Sequence, residues 1–159
     1  MEVEGTILWR RELEAIEGRL HIEDGRIVDL EQMAVDATDI IVPSFVNGHT
    51  HLGDSIAKEA GAGVPLKELV APPDGLKHQL LRAADAETII QAIRGSLQLM
   101  IDSGTTATIE FREGGLAGVE RLLAAQAGLP IELQIMARVS VAALERADGF
   151  GASSVRDEE

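Results

Sequence analysis

The chain has 159 residues and no cysteine, with 14 Lys and Arg set against 27 Asp and Glu for a formal charge of −13. That length supports one sizeable core, and that charge argues against nucleic acid or an anionic membrane surface as partner. Without cysteine there is no disulfide framework and no thiolate chemistry. No apolar run approaches the ~18 residues of a membrane span, and the acidic start Met1-Glu2-Val3-Glu4 lacks a signal-like apolar segment. The expected compartment is the cytoplasm.

Residues 2–31 read as short strands joined by turns. Val3–Trp9 is the first, Leu13–Glu23 the second, and Arg26–Leu30 the third, with Asp24-Gly25 supplying the positive φ of a tight hairpin turn. A polar link over 32–39 leads into an apolar strand expected from Ile40 to His51. Gly53 to Leu76 reads as a long irregular stretch, punctuated by Gly61, Gly63, Pro65, Pro72, Pro73 and Gly75. Loops of more than about 12–15 residues are usually functional or disordered, and this one is expected to be the least ordered internal segment.

Asp85 then reads as an N-cap, followed by Ile89, Ile93, Leu97 and Met100 at helical spacing, with Gly104 as the stop. Thr105–Phe111 is β-branched and reads as a strand. Leu116–Ala127 is a second helix, Ile131–Val139 a further strand, and Val141–Arg146 a short helical connector. Asp148-Gly149-Phe150-Gly151 begins a last strand. Strand, helix, strand, helix, strand implies a parallel sheet.

The most informative residues close the Ile40–His51 run. On a strand, residues i and i+2 share a face, so His49 and His51 can aim two imidazoles at one point. Imidazole is the commonest metal-binding side chain. The alternative is a pair of polar residues on a half-exposed strand. Three features favour ligands: the strand before them is nearly all apolar, a Gly-Asp loop follows, and a β-rich segment precedes.

The segment Pro43-Ser44-Phe45-Val46-Asn47-Gly48-His49-Thr50-His51 resembles the first barrel strand of the amidohydrolase superfamily, in its cytosine deaminase and chlorohydrolase-like branch. The recurrent phrase there is Pro-Gly-Phe-Val-Asn-Ala-His-x-His. Ser44 and Gly48 stand where that phrase has Gly and Ala. The resemblance implies an α/β fold: a partial (β/α)8 TIM-like barrel of about three to four βα units over residues 40–159, after a 1–39 segment contributing strands to a small β-sandwich. It also implies a divalent metal held by His49 and His51, zinc first and iron or manganese next. The implied reaction is hydrolysis of a non-peptide C–N bond in a small molecule.

Other candidates lie near the same strand ends. Asp54 and Ser55 are close enough to His51 to line the site mouth, or to act simply as turn and cap residues. Glu110 and Arg112, with Glu113, end the next strand, on the face where barrels carry chemistry. Arg112 is a candidate bidentate hold on a substrate carboxylate or carbonyl, and Glu110 a candidate to orient a metal ligand or a water; a surface ion pair is the plain alternative. His78 reads as an exposed helix residue and His21 as structural. No residue is assigned as catalytic.

A full barrel takes about 250 residues, so the chain reads as the N-terminal half of such an enzyme. The resemblance places further histidines after strands 5 and 6 and an aspartate after strand 8, and no histidine follows His78 here. A catalytic zinc uses about three protein ligands and an open position; two are present. The expectation is weak metal binding and no turnover by this chain alone. The rival reading is a non-catalytic or split subunit, completed by a partner chain or by self-association.

Overall fold

The computed structural model describes residues 1–71, 73–138 and 140–152. The chain divides into two units, Met1–Ser44 and Phe45–Glu159.

The first unit is one four-stranded sheet. Its strands are β1 (Glu2–Trp9), β2 (Glu14–Glu23), β3 (Arg26–Gln32) and β4 (Ile40–Ile41), in spatial order β3-β2-β1-β4. β1, β2 and β3 run antiparallel, and β4 lies parallel to β1. The β2–β3 hairpin closes through Asp24 and Gly25, both at positive φ (49° and 74°), the backbone of a two-residue turn matched to strand twist. Gly5 faces Gly18 across β1 and β2. A Cβ at Gly18 would collide with the carbonyl oxygen of Glu31, so side chains are excluded where the strands crowd. Ile7 and Leu20 are buried in this sheet.

The Ile40–His51 run is two strands rather than the single one expected. Ile40–Ile41 completes the first sheet, while β5 (Phe45–Thr50) opens the second. Pro43 lies between them, and a residue without an N–H cannot continue a ladder. A six-residue 3-10 turn, Leu52–Ala57, follows β5.

The stretch Gly53–Leu76 was expected to be irregular, yet it carries that turn and helix α1 (Leu66–Val70) before α2 (Leu76–Ala83). Pro65 and Gly75, which look like breakers in sequence, are the N-cap residues of these helices. Pro72 lies outside the described residues. A start position needs no N–H partner, which is why proline and glycine are tolerated there.

Helix α3 (Ala86–Asp102) begins where the sequence indicated: Thr88 N–H donates to Asp85 Oδ1 at 2.8 Å. It ends before Gly104, whose φ of 84° is the left-handed stop. Then come β6 (Thr105–Arg112), α4 (Gly115–Gln126), β7 (Glu132–Ala137), a 3-10 turn over Val141–Glu145, and β8 (Gly149–Phe150). β7 ends at Ala137; Val139, where the strand was expected to finish, lies outside the described residues.

The second sheet has the order β5-β6-β7-β8, parallel throughout. Ile93 and Leu97 of α3, Val119 and Leu122 of α4, and Ile135 of β7 share one core with Leu52. Each such side chain contributes about 1.5–3 kcal/mol on burial. Among the described residues no helix is long and apolar enough to cross a membrane.

Ile93 has no exposed surface. Ile93→Ala is expected to lower unfolding free energy in urea by about 2–5 kcal/mol, whereas Ile40→Ala, at a residue 68% exposed, should cost far less. A loss below about 1 kcal/mol at Ile93 would contradict the packing described.

Candidate metal centre

The strand geometry is built around Thr50. This residue is buried, with Oγ1 2.9 Å from the Ile109 carbonyl oxygen and 2.7 Å from Glu110 Oε2. Its neighbours on either side, His49 and His51, therefore project to the opposite face. There the two Nε2 atoms lie 3.3 Å apart, with the rings tilted at 60°. His49 also stacks on Phe111, centroids 4.4 Å apart at 26°.

That spacing has a chemical meaning. Two nitrogens on one tetrahedral zinc, each at about 2.0–2.1 Å, sit about 3.3–3.4 Å from one another. The separation of the pair matches that of two ligands on one ion. Among the described residues no group of three or more His, Asp or Glu gathers to hold a metal. The donor set suits a divalent ion but supplies only two of its positions.

Two glutamates hold this arrangement, from different sides. Glu110 is wholly buried. Its carboxylate accepts the Leu52 N–H at 2.8 and 3.0 Å and lies 3.3 Å from Arg112 Nη1. It thus grips the residues on both sides of His51, through the Thr50 hydroxyl and the Leu52 amide. Burial pushes its pKa up to about 6, against the pull of the Leu52 N–H, Arg112 and Thr50. The Thr50 hydroxyl, which also lies 3.2 Å from Thr108 Oγ1, joins the carboxyl to the neighbouring strand.

Glu113 acts on the ring instead. Its Oε1 lies 3.2 Å from His51 Nδ1, within ion-pair range although not aligned as a full hydrogen bond. The same oxygen accepts from Lys77 Nζ at 2.9 Å and lies 3.5 Å from Arg138 Nη1. Burial works against its charge, yet His51 and Lys77 hold the carboxyl well below the usual range. The His51 imidazole is raised in turn, chiefly by Glu113.

The other candidates are distributed as follows. Arg112 is 3% exposed; its Nε donates to the Glu113 carbonyl at 2.9 Å and its guanidinium lies where a Cβ on Gly53 would be. It braces the turn after His51 from inside. Asp54 Oδ2 accepts from Lys77 at 3.0 Å, and with His51 it borders a cavity of about 310 Å³ that Lys58, Leu69 and Val70 also line. The Ser55 hydroxyl turns to Ser96, 2.8 Å away. His78 lies 3.2 Å from the Val70 carbonyl oxygen, and His21 sits between Glu2 and Glu31 in the first sheet.

The amidohydrolase family model matches residues 40–158. The chain belongs to the amidohydrolase family. A candidate aminohydrolase of Methanothermobacter thermautotrophicus is 41% identical over 141 residues, which is 84% of this chain and 37% of that protein. Another from Archaeoglobus fulgidus is 35% identical over 99% of this chain and 46% of its own. This amidohydrolase-family chain therefore spans less than half the length of those curated relatives. Its fold is shared with a 5-methylcytosine deaminase from Klebsiella pneumoniae solved with 5-fluorocytosine, at 22% identity and a TM-score of 0.62 over 87% of this chain and 36% of that one. It is also shared with a zinc complex of atrazine chlorohydrolase from Arthrobacter aurescens, at 18% identity and a TM-score of 0.59 over 86% and 35%.

Sequence reasoning passed over Lys77 and gave Glu113 no role of its own. The available signal was the position of Glu113, one residue beyond β6, and of Lys77, one residue into a helix after the histidines. Neither spacing is diagnostic without the fold.

Glu110 makes a checkable prediction through pH. Its folded-state pKa of about 6 exceeds the unfolded value of 4.5, so the native state keeps the proton longer. Its stabilising contribution is full below 4.5 and is lost as pH rises through about 6. The stability of the native protein relative to Glu110→Gln should fall by about 2 kcal/mol over that window in urea unfolding. Glu113, held low in both proteins, titrates below the window. A difference that stays flat with pH would contradict the raised value.

Proposed function

We propose that this chain is the N-terminal part of a metal-dependent hydrolase acting on carbon–nitrogen bonds other than peptide bonds, by amide hydrolysis or deamination of a small molecule. The observation that carries the reading is the convergence of His49 and His51, with Nε2 atoms at 3.3 Å, at the C-terminal end of a parallel strand. Active sites of (β/α)8 barrels lie at that end. In this reading β5 to β8 with their helices are the first three to four units of such a barrel, covering 40–159. The strands of 1–39 belong to a small β-sandwich.

His49 and His51 would hold the ion, zinc first and iron or manganese next, since imidazole suits all three. When bound, such an ion supplies Lewis acidity and lowers the pKa of water toward neutrality. The chain's own residues do the positioning. Phe111 stacks on His49 and fixes its ring plane. Glu113 lies at Nδ1 of His51 and favours the tautomer whose Nε2 is free to bind. Glu110 and Arg112 we assign to holding the backbone, given their burial, and Asp54 to the substrate side, given its place on the cavity beside His51.

A second reading is favoured by exposed apolar residues at the sheet edges. Phe45 and Val46 on β5 and Phe150 on β8 are 57%, 65% and 47% exposed, and among the described residues both strands have one unpaired side. A separate polypeptide supplying later strands would cover them.

One experiment addresses both. The part of the Methanothermobacter relative that lies beyond the matched region is appended to residues 1–159, or supplied as a separate chain. The expected outcome is about one metal ion per appended chain and hydrolysis of small amides or aminopyrimidines, both lost in His49→Ala and His51→Ala. Residues 1–159 alone should bind metal weakly and be silent. Stoichiometric metal with turnover from 1–159 alone would overturn the partial-enzyme reading. Restoration by the separate chain would favour the split subunit.

A further inference from the structure

We propose that Lys77 is a positioning residue of the centre: from helix α2 it pins the Glu113 carboxylate against His51 and so sets where the His51 Nε2 points. The inference rests on the metal-centre reading above and names a part of that centre contributed by a helix rather than a barrel strand.

Lysine is among the residues least often buried, yet the Lys77 side chain is only 12% exposed. Its ammonium has three donors, and two are used on carboxylates that bracket His51. One is Asp54 Oδ2 at 3.0 Å, in the turn just after the histidine; the other is Glu113 Oε1 at 2.9 Å, beyond the end of β6. The ammonium is therefore a strap between the two segments that meet at the His51 ring.

The strap has something to restrain. The terminal torsion of a glutamate is broad and roughly two-fold, so either oxygen could face the imidazole. In the structure Lys77, His51 and Arg138 all lie at Oε1 (2.9, 3.2 and 3.5 Å), while Oε2 is buried with no hydrogen-bond partner among the described residues. Three cationic or ring nitrogens thus converge on the one oxygen that faces the imidazole. Helix α2 is itself set close. Gly75 caps it, and a Cβ there would press on the backbone of Leu69 and Ala71.

A plain structural ion pair predicts something different. Replacing one member of a buried pair leaves an uncompensated charge and is strongly destabilising. Here Glu113 keeps His51 and Arg138 as partners when Lys77 is removed. The loss should therefore appear at His51 more than in the fold.

The test uses residues 1–159 with Lys77→Met, Glu113→Gln and the double variant. It reads urea stability, the tautomer of His51 from imidazole nitrogen shifts, and Zn²⁺ affinity against a chromophoric chelator. The native chain should hold His51 as the Nδ1–H tautomer. Lys77→Met should give a tautomer mixture and about tenfold weaker Zn²⁺ binding with stability little changed. The double variant should bind no worse than Glu113→Gln alone, because Lys77 acts through Glu113. An unchanged tautomer in Lys77→Met, or losses that simply add in the double variant, would overturn the inference. If the native chain binds Zn²⁺ no better than His49→Ala or His51→Ala, the metal reading fails, and the tautomer result alone decides the role of Lys77.

Discussion

The buried carboxylate of Glu110 is the interaction on which the rest of the site depends. It stands on β6 with no exposed surface, and besides Arg112 on the same strand its partners belong to β5 and to the turn beyond it. A strand that must stop, turn and present two rings at its end leaves backbone donors unsatisfied, and an unpaired buried N–H is costly. Glu110 satisfies the Leu52 amide and packs against the Thr50 hydroxyl, so the residues on either side of His51 are tied to the neighbouring strand. The same burial that makes the tie strong also raises the carboxyl's pKa to about 6.

Along β6 this reverses the usual arrangement. Thr108, Glu110 and Arg112 are the buried residues, on the side that meets the Leu52 turn and α4, while Phe111 faces the histidines. Of the polar side chains inside, Glu110 and Arg112 contact the turn after His51, and the aromatic stacks on a histidine ring. His51 lies between two residues tied to Glu110, and its Nδ1 is 3.2 Å from Glu113 Oε1. His49 is fixed by stacking. The pair can thus keep a 3.3 Å separation suited to one metal ion.

Much of this was legible in the sequence because its signals are local. Alternation and Asp24-Gly25 located the first three strands, and Asp85 and Gly104 bounded α3 closely. The His-x-His pattern placed both imidazoles on one face. What stayed hidden depends on distant partners. Pro43 splits the apolar run between two sheets, which only strand pairing reveals. Pro65 and Gly75 look alike as breakers and as helix starts. Glu110, Arg112 and Glu113 are one short acidic-basic cluster in sequence, and their separate tasks follow from alternation across a strand end that meets a turn more than fifty residues earlier. Lys77 and His78 are adjacent on α2, yet the lysine reaches Glu113 while the histidine lies against the Val70 carbonyl oxygen.

The central claim is that this chain presents two imidazole nitrogens to one metal ion. X-ray absorption at the zinc edge, on residues 1–159 loaded with one equivalent of Zn²⁺, tests it most directly. The account predicts two imidazole nitrogens at about 2.0–2.1 Å with oxygen ligands completing the shell, falling to one imidazole in His49→Ala. A zinc shell with no imidazole, or one unchanged by removing His49, would contradict it.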